Sequence, residues 1–134
     1  MSVVVDASVL VAMTSDAGAI GQWAERFLAE EYLVAPHLAP LEATNVLRRL
    51  ELAGKLERLE AASAASDLND LDIELLPFAP FSDRVWELRA NLTSYDALYV
   101  AIAEHLEMPL ATLDRKLAGA SGPRCRFMLP ATRE

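Results

Sequence analysis

Four acidic residues stand at positions where carboxylates can act together on a cation. Asp6 directly follows an apolar run, S-V-V-V, and Asp114 follows a second one, P-L-A-T-L. Glu42 and Asp96 each lie in the first turn of a predicted helix. An ionised carboxylate that leaves water is strongly destabilised unless a helix N-terminus, a basic side chain or a metal ion compensates it. The nature of that compensation therefore determines the chemistry of the chain.

Each acid also has an ordinary structural explanation. Asp6 and Asp114 suit helix N-caps, and Glu42 and Asp96 would complement the positive ends of their helices by roughly 0.3–1 kcal/mol each. Considered alone, Glu42 and Asp114 are explained best by this structural role. Asp6 is not, because its surroundings are apolar and Ser or Asn would cap the helix equally well. Asp96 precedes A-L-Y-V-A-I-A, which is apolar on nearly every face and predicts a buried helix.

Taken together, the acids predict a bound cation. Two carboxylates ~4 Å apart repel by about 4 kcal/mol at an effective dielectric constant of 20, so a fold that gathers four of them needs a counter-charge. The nearest basic pair, Arg48 and Arg49, lies almost two helical turns beyond Glu42. Two histidines and one cysteine cannot form a typical structural zinc site. The expected ion is therefore a hard divalent cation with oxygen ligands, Mg²⁺ or Mn²⁺.

Alternating strands and helices are predicted to position these acids. The predicted strands are 3–5, 32–35, 73–76 and 109–113, with an edge strand at 127–129. The predicted helices are 8–13, 19–30, 40–54, 55–70, 82–92 and 94–106. This order implies a parallel sheet covered by helices on both faces, with its ligand crevice beyond the carboxyl ends of the strands. All four acids fall at a strand exit or a helix entry, so we expect them at that crevice. The Ala- and Ser-rich segment 60–66 fits either a packed crossover or a mobile arm.

Length and composition limit the class of protein. A chain of 134 residues predicts a single domain, 1–134. No apolar stretch reaches the ~20 residues that span a bilayer, no signal peptide is evident, and a lone cysteine suits a reducing compartment. We therefore expect a cytoplasmic protein without a membrane partner. The net charge of −8 argues against tight non-specific binding of nucleic acid, which requires a basic surface.

Four motifs, in this order, resemble those of a known family. They are D-A-S-V-L-V at 6–11, E-A-T-N-V-L at 42–47, Y-D-A-L-Y-V-A-I-A at 95–103 and A-T-L-D-R-K-L at 111–117. Each motif is weak by itself, but their order and spacing together are similar to those of PIN-domain ribonucleases, in particular the VapC-type toxins of bacterial toxin–antitoxin pairs. The resemblance extends over essentially the whole chain.

The resemblance implies a three-layer α/β/α sandwich with a central, mainly parallel sheet, and hydrolysis of RNA that depends on Mg²⁺ or Mn²⁺. It also implies inhibition by a cognate antitoxin. Asp6, Glu42, Asp96 and Asp114 fall on the acidic positions of the family. Our hypothesis is that Asp6 and Asp96 ligate a metal directly, with Glu42 close by, and that Asp114 acts through water or helps to hold a second ion.

Residues near the acids are expected to support them. Ser8 and Thr112 fall on hydroxyl positions of the family and would hydrogen-bond to the carboxylates, which fixes ligand geometry. Asn45 falls on a polar position and shares a helical face with Glu42, three residues before it. Ordinary turn, packing or solvent roles have similar weight for these three residues. The basic residues that flank two acid motifs are the candidates for contacts with RNA phosphates: Arg48, Arg49, Arg115 and Lys116. The apolar surplus of so small a domain predicts a homodimer or an antitoxin groove.

Two other classes of protein share part of this pattern. A phospho-acceptor signalling domain would carry paired acids after the first strand, an acid after the third and a lysine near the last. Here Asp6 stands alone, the third strand ends in L-L-P-F-A-P, and no lysine lies beyond Lys116. A catalytically inactive PIN-like binding module would have lost an acid, and none of the four is missing. The sequence therefore favours an active nuclease.

Overall fold

The computed structural model describes residues 2–131, apart from the side chain of Leu28. The strands are β1 Ser2–Val5, β2 Tyr32–Pro36, β3 Ile73–Leu76, β4 Leu110–Ala111 and β5 Phe127–Met128. The helices are α1 Ala7–Ser15, α2 Ala19–Glu30, α3 Ala39–Leu52, α4 Arg58–Asp70, α5 Ser82–Glu87, α6 Ser94–Leu106 and α7 Arg115–Ala118. A 3₁₀ turn, Ala79–Phe81, leads into α5. The predicted alternation of strands and helices is confirmed.

The strands form one sheet in the order β3-β2-β1-β4-β5, and all four pairings are parallel. The chain builds outward from β1 to β3 on one side and then crosses to β4 and β5 on the other. The order therefore reverses between β1 and β4, which is where an open α/β sheet has its ligand crevice. Val4 pairs with Leu110 and Val5 with Ala111, so the residues that follow these strands, Asp6 and Thr112, leave the sheet side by side.

The core surrounds β1 and α6. Val3, Val4 and Val5 are at most 1% exposed, as expected for a β-branched strand covered on both faces. α6 packs on β1, β2 and β4, and its apolar residues from Ala97 to Ala103 are all buried. The sequence predicted this burial because A-L-Y-V-A-I-A is apolar on nearly every face of the helix. No helix in the described part of the chain is long and apolar enough to cross a membrane.

The Ala- and Ser-rich segment 60–66 is a packed element. It belongs to α4, whose residues Ala61, Ala64 and Leu68 are buried and which contacts α1 and α3. Small side chains on this face let the helices approach closely. The mobile-arm interpretation is therefore wrong.

Two predicted element boundaries are corrected by local hydrogen bonding. α4 begins at Arg58, three residues later than expected, because Gly54 adopts a left-handed conformation (φ 76°) and the Lys55 and Leu56 amides bond back to the Leu50 carbonyl. α5 ends at Glu87 rather than at 92, because i→i+3 bonds tighten the chain into turns over 88–91. These turns precede the extended backbone of Thr93, which caps α6.

Candidate active site

Asp6 is a buried carboxylate with both oxygens engaged. It is 8% exposed and caps α1, since its Oδ1 accepts hydrogen bonds from the Val9 amide at 3.2 Å and the Ser8 hydroxyl at 2.5 Å. Its Oδ2 accepts a hydrogen bond from the hydroxyl of Thr112. Asp6 is thus a helix cap, as one interpretation of the sequence predicted. It is also buried, which capping a helix does not require.

The hydroxyls of Ser8 and Thr112 connect Asp6 to the segment after β4. Ser8 Oγ accepts a hydrogen bond from the Leu113 amide at 3.1 Å, and Thr112 Oγ1 accepts one from the Asp114 amide at 3.0 Å. Each hydroxyl therefore donates to the buried carboxylate and accepts from a backbone amide of the segment after β4. This arrangement fixes both the Asp6 side chain and the backbone that carries Asp114.

Glu42 reaches the same region from the first turn of α3, and a buried tyrosine holds it there. The Tyr99 hydroxyl, on α6, donates a 2.6 Å hydrogen bond to Glu42 Oε1. Tyr99 is 2% exposed, and its pKa is raised by burial and by the Glu42 carboxylate. The phenol consequently remains protonated and able to donate at any physiological pH.

Asp96 and Asp114 are placed by local turns. The Asp96 amide donates to the hydroxyl of Thr93, the N-cap of α6, at 3.2 Å, which puts the half-buried Asp96 in the first helical turn. Asp114 is exposed and caps α7, because its Oδ1 accepts from the Lys116 and Leu117 amides at 2.9 and 3.1 Å. The capping interpretation of Asp114 is therefore confirmed as local geometry.

The acids influence one another electrostatically. Burial raises the pKa of Asp6, and a smaller opposite effect comes from its hydroxyl donors. Burial also raises the pKa of Glu42, with further contributions from the charges of Asp96 and Asp6. The pKa of Asp96 is raised by burial and then by the charges of Asp114 and Asp6. Over residues 2–131, no basic side chain offsets any of these three shifts. Asp6, Glu42 and Asp96 therefore have no compensating cation within that range, and together with Asp114 they are called the acid group.

The side chains as placed do not form a complete protein cage for an ion. Within the described residues, no three acidic, histidine or cysteine side chains are arranged to hold one metal. The donor chemistry nevertheless suits Mg²⁺, which keeps several waters and is usually bound through one or two carboxylates together with substrate phosphates. A site of that kind needs only part of the acid group as direct ligands.

The remaining five predicted residues are exposed. Asn45, Arg48 and Arg49 are exposed along α3. An Arg115 N–H donates to the Pro130 carbonyl at 2.6 Å. The described hydrogen bonds of Lys116 involve its backbone amide, which donates to Asp114. These five residues therefore make no described side-chain contact with the acid group.

Tyr99 was missed by sequence reasoning, although a signal was present. It lies three residues after Asp96, on the same face of α6. A buried tyrosine hydroxyl also requires a polar partner. The prediction considered A-L-Y-V-A-I-A only as a buried apolar segment and did not consider its one polar group, the Tyr99 hydroxyl.

The PIN domain family profile matches residues 3–122, a range that contains all four acids. This chain belongs to the PIN-domain family. Ribonuclease VapC1 of Mycobacterium tuberculosis is 38% identical to it over 127 residues, which cover 94% of this chain and 96% of that protein. Within the PIN domains, the chain therefore belongs with the VapC ribonucleases, and the family predicted from the four motifs is confirmed.

Solved structures confirm the PIN-like α/β fold. M. tuberculosis VapC20, described as a toxin that cleaves the sarcin–ricin loop, superposes with a TM-score of 0.66 at 18% identity, covering 87% of this chain and 92% of that one. VapBC2 from Rickettsia felis, bound to a promoter DNA fragment, gives a TM-score of 0.67 at 14% identity, with coverages of 96% and 98%. At these identities the likeness concerns the fold alone. The predicted mainly parallel sheet is entirely parallel in this PIN domain.

Proposed function

We propose that this PIN domain is a divalent-metal-dependent endoribonuclease that acts as the toxin of a toxin–antitoxin pair. The observation that carries the proposal is the acid group where the sheet order reverses, in which Asp6, Glu42 and Asp96 have no compensating cation among the residues that the structure describes. A fold that buries Asp6 and raises the pKa of two further acids accepts an electrostatic cost that capping alone does not require. The likeness to VapC ribonucleases supports RNA as the substrate.

In this proposal Asp6 and Asp96 ligate Mg²⁺ or Mn²⁺ directly, Glu42 lies close by, and Asp114 acts through water or helps to hold a second ion. A bound divalent cation would lower the pKa of water and neutralise charge on the scissile phosphate. Ser8 and Thr112 keep the Asp6 oxygens in place, and Tyr99 holds Glu42 toward the site. Glu42 or Asp114 then orients the attacking water. In-line attack leaves a 5′-phosphate and a 3′-hydroxyl.

Cleavage of total cellular RNA by the purified protein, free of any partner, tests the function. With Mg²⁺ or Mn²⁺ we expect discrete products that carry 5′-phosphates, and with chelator we expect none, because the acids alone repel phosphate. Asp96→Asn, prepared identically, should yield no products. Equal cutting by both proteins would indicate a contaminating nuclease. If neither protein cuts and calorimetry detects no metal binding, the inactive binding module is the better description.

Tyr99→Phe should lower kcat for RNA cleavage by about 10-fold while KM changes little, as expected for a group that only orients another residue. The change removes the hydrogen bond to Glu42 but keeps the buried ring, so the free energy of unfolding should fall by only about 1 kcal/mol. Single-turnover kinetics and thermal unfolding measure the two effects. Tyr95→Phe is the matched control, because Tyr95 is on the same helix and 64% exposed. An unchanged kcat for Tyr99→Phe would contradict the positioning role.

We further propose that residues 1–134 act as one nuclease domain in the cytoplasm, where RNA is available, as a homodimer that a cognate antitoxin inhibits. The fold likeness to a toxin–antitoxin complex from Klebsiella pneumoniae favours a protein partner. Exposed leucines on and beside α3 and α4 offer apolar surface for such contacts: Leu41, Leu52 and Leu59 are 73%, 70% and 81% exposed. A basic segment on the antitoxin would suit the net charge of −8.

A further inference from the structure

A groove beside the acid group combines an aromatic ring with two guanidinium groups. α2 contributes Ile20, Trp23 and Arg26 along one face, and the opposite wall consists of Leu113, Arg115 and Pro130. We call it the Trp23 groove. Its volume is about 780 Å³, within the range of small-molecule sites.

The Trp23 groove adjoins the acid group through the segment after β4. Leu113 and Arg115 line the groove and flank Asp114 in sequence. The Leu113 amide also donates to Ser8 Oγ, the hydroxyl that bonds to Asp6. A strand of substrate whose phosphate lies at the acids therefore has its neighbouring nucleotide within reach of the groove.

The walls of the Trp23 groove offer an aromatic ring and guanidinium groups, which can contact the base and the phosphates of a nucleotide. The Trp23 ring is half-buried and held by an edge-on contact with Phe27, with ring centroids 5.0 Å apart, so it is ordered before any ligand binds. The exposed Arg26 has no ion-pair partner among the described residues. Of the acids, only Asp16 lines the groove, and its Oδ1 already accepts from the Gly18 amide at 2.7 Å. The groove is therefore locally basic in a protein of net charge −8.

The aromatic and basic side chains of the groove can bind RNA although the net charge of the protein is negative. An acidic protein gains little affinity for RNA by counterion release, so its substrate must be held by contacts that do not depend on net charge. Stacking of an unpaired base on an aromatic ring or a guanidinium plane is such a contact. A duplex cannot offer a base face to the groove, because its bases are already stacked and paired.

We propose that the Trp23 groove binds an unpaired nucleobase of the RNA substrate adjacent to the scissile phosphate. Trp23 stacks on the base, and Arg26 and Arg115 contact the flanking phosphates. The inference rests on the proposed ribonuclease function and adds to it a subsite for the nucleobase next to the cleaved bond.

Trp23 fluorescence tests the proposal without altering the groove. The chain has two tryptophans, and Trp86 is 64% exposed beneath Arg89, with the guanidinium carbon 4.4 Å from its ring centroid. Trp86→Phe in the Asp96→Asn background therefore leaves Trp23 as the only tryptophan in a protein that does not cleave. A short single-stranded RNA of mixed sequence should quench Trp23, and the same sequence as a duplex should not. No quenching, or equal quenching by both, would overturn the proposal.

Binding affinities provide the second measurement. Trp23→Ala should weaken binding of the single-stranded RNA by about 10-fold, the order expected for one stacked base, and Trp23→Phe should restore most of it. Arg26→Gln, at an exposed position, should weaken binding about 3-fold for one lost phosphate contact. Trp86→Ala is the matched control and should leave binding unchanged.

The failures are distinguishable. If the wild-type protein cleaves RNA and Trp23→Ala binds and cleaves it normally, the groove inference is wrong while the ribonuclease function stands. If the Trp23 variants lose only inhibition by the cognate antitoxin, the groove docks a protein and the inference is equally wrong. If the wild-type protein neither cleaves nor binds RNA, the proposed function itself has failed.

Discussion

Asp96→Asn is expected to reduce metal-dependent RNA cleavage on the order of 1,000-fold. A residue that only orients a metal ligand typically accounts for about 10–100-fold, and loss of a direct ligand should exceed that. The substitution keeps the shape of the side chain and removes the charge on which the proposed metal site depends. Rates of product formation with saturating Mg²⁺ and with Mn²⁺ measure the effect. Retention of more than about a tenth of the wild-type rate would remove Asp96 from the proposed machinery.

The same variant should be more stable than the wild-type protein when chelator is present. Burial and the charges of Asp114 and Asp6 raise the pKa of Asp96 above its ordinary value of 3.8, so the ionised side chain opposes folding at neutral pH. Because Asp96 is only half-buried, solvent screening limits the gain on removing its charge to about 0.5–1 kcal/mol. Below pH 3.8 Asp96 is protonated in both the folded and the unfolded protein, so the two variants should be equally stable. As the pH rises through the raised pKa of folded Asp96, the wild-type protein should become less stable than Asp96→Asn. Thermal unfolding over a pH series measures it.

Asp83→Asn is the matched control for both effects. Asp83 is exposed and occupies the first turn of α5, as Asp96 occupies the first turn of α6. Its removal takes away a favourable helix-end charge, so stability should fall slightly while cleavage is unchanged. If Asp96→Asn also lowered stability, Asp96 would be an ordinary helix-end acid rather than an acid without a compensating cation.

Thr112→Val is expected to be both destabilising and strongly inhibitory. Thr112 is fully buried, and its hydroxyl donates to Asp6 and accepts from the Asp114 amide. Valine fills the same space but leaves that amide and the Asp6 oxygen without their partner. We expect a loss of about 1–3 kcal/mol in the free energy of unfolding and a fall in cleavage rate of about 10–100-fold. Denaturant unfolding and single-turnover cleavage report the two effects.

Thr112→Ser separates the hydroxyl from the methyl group at this position. Serine keeps the donor and acceptor, so most of the cleavage activity should return, although the lost methyl group leaves a small cavity and still lowers stability. Activity close to that of the wild-type protein in both the Val and Ser variants would show that the bridge between Asp6 and the Asp114 amide is dispensable. The prediction for Thr112 would then be wrong.

The sequence by itself determined the helices and strands, and it predicted the kind of chemistry. Helix and strand periodicity, the Val3–Val5 run and the apolar α6 are local properties, and local hydrogen bonds such as the Asp114 cap are decided within a few residues. The positions of four acids at strand exits and helix entries follow from the same local signals. Composition restricted the predicted metal to one with oxygen ligands, because too few histidines and cysteines are present for a typical structural zinc site.

Only the tertiary structure decided which groups meet. The contact between Asp6 and Thr112 joins residues 106 apart in sequence, and that between Tyr99 and Glu42 joins residues 57 apart. Both depend on strand order, which brings β4 beside β1. The Trp23 groove likewise exists only because α2 faces the segment after β4. Periodicity carries no information about such pairings, because the free energy that selects them comes from packing elements distant in sequence.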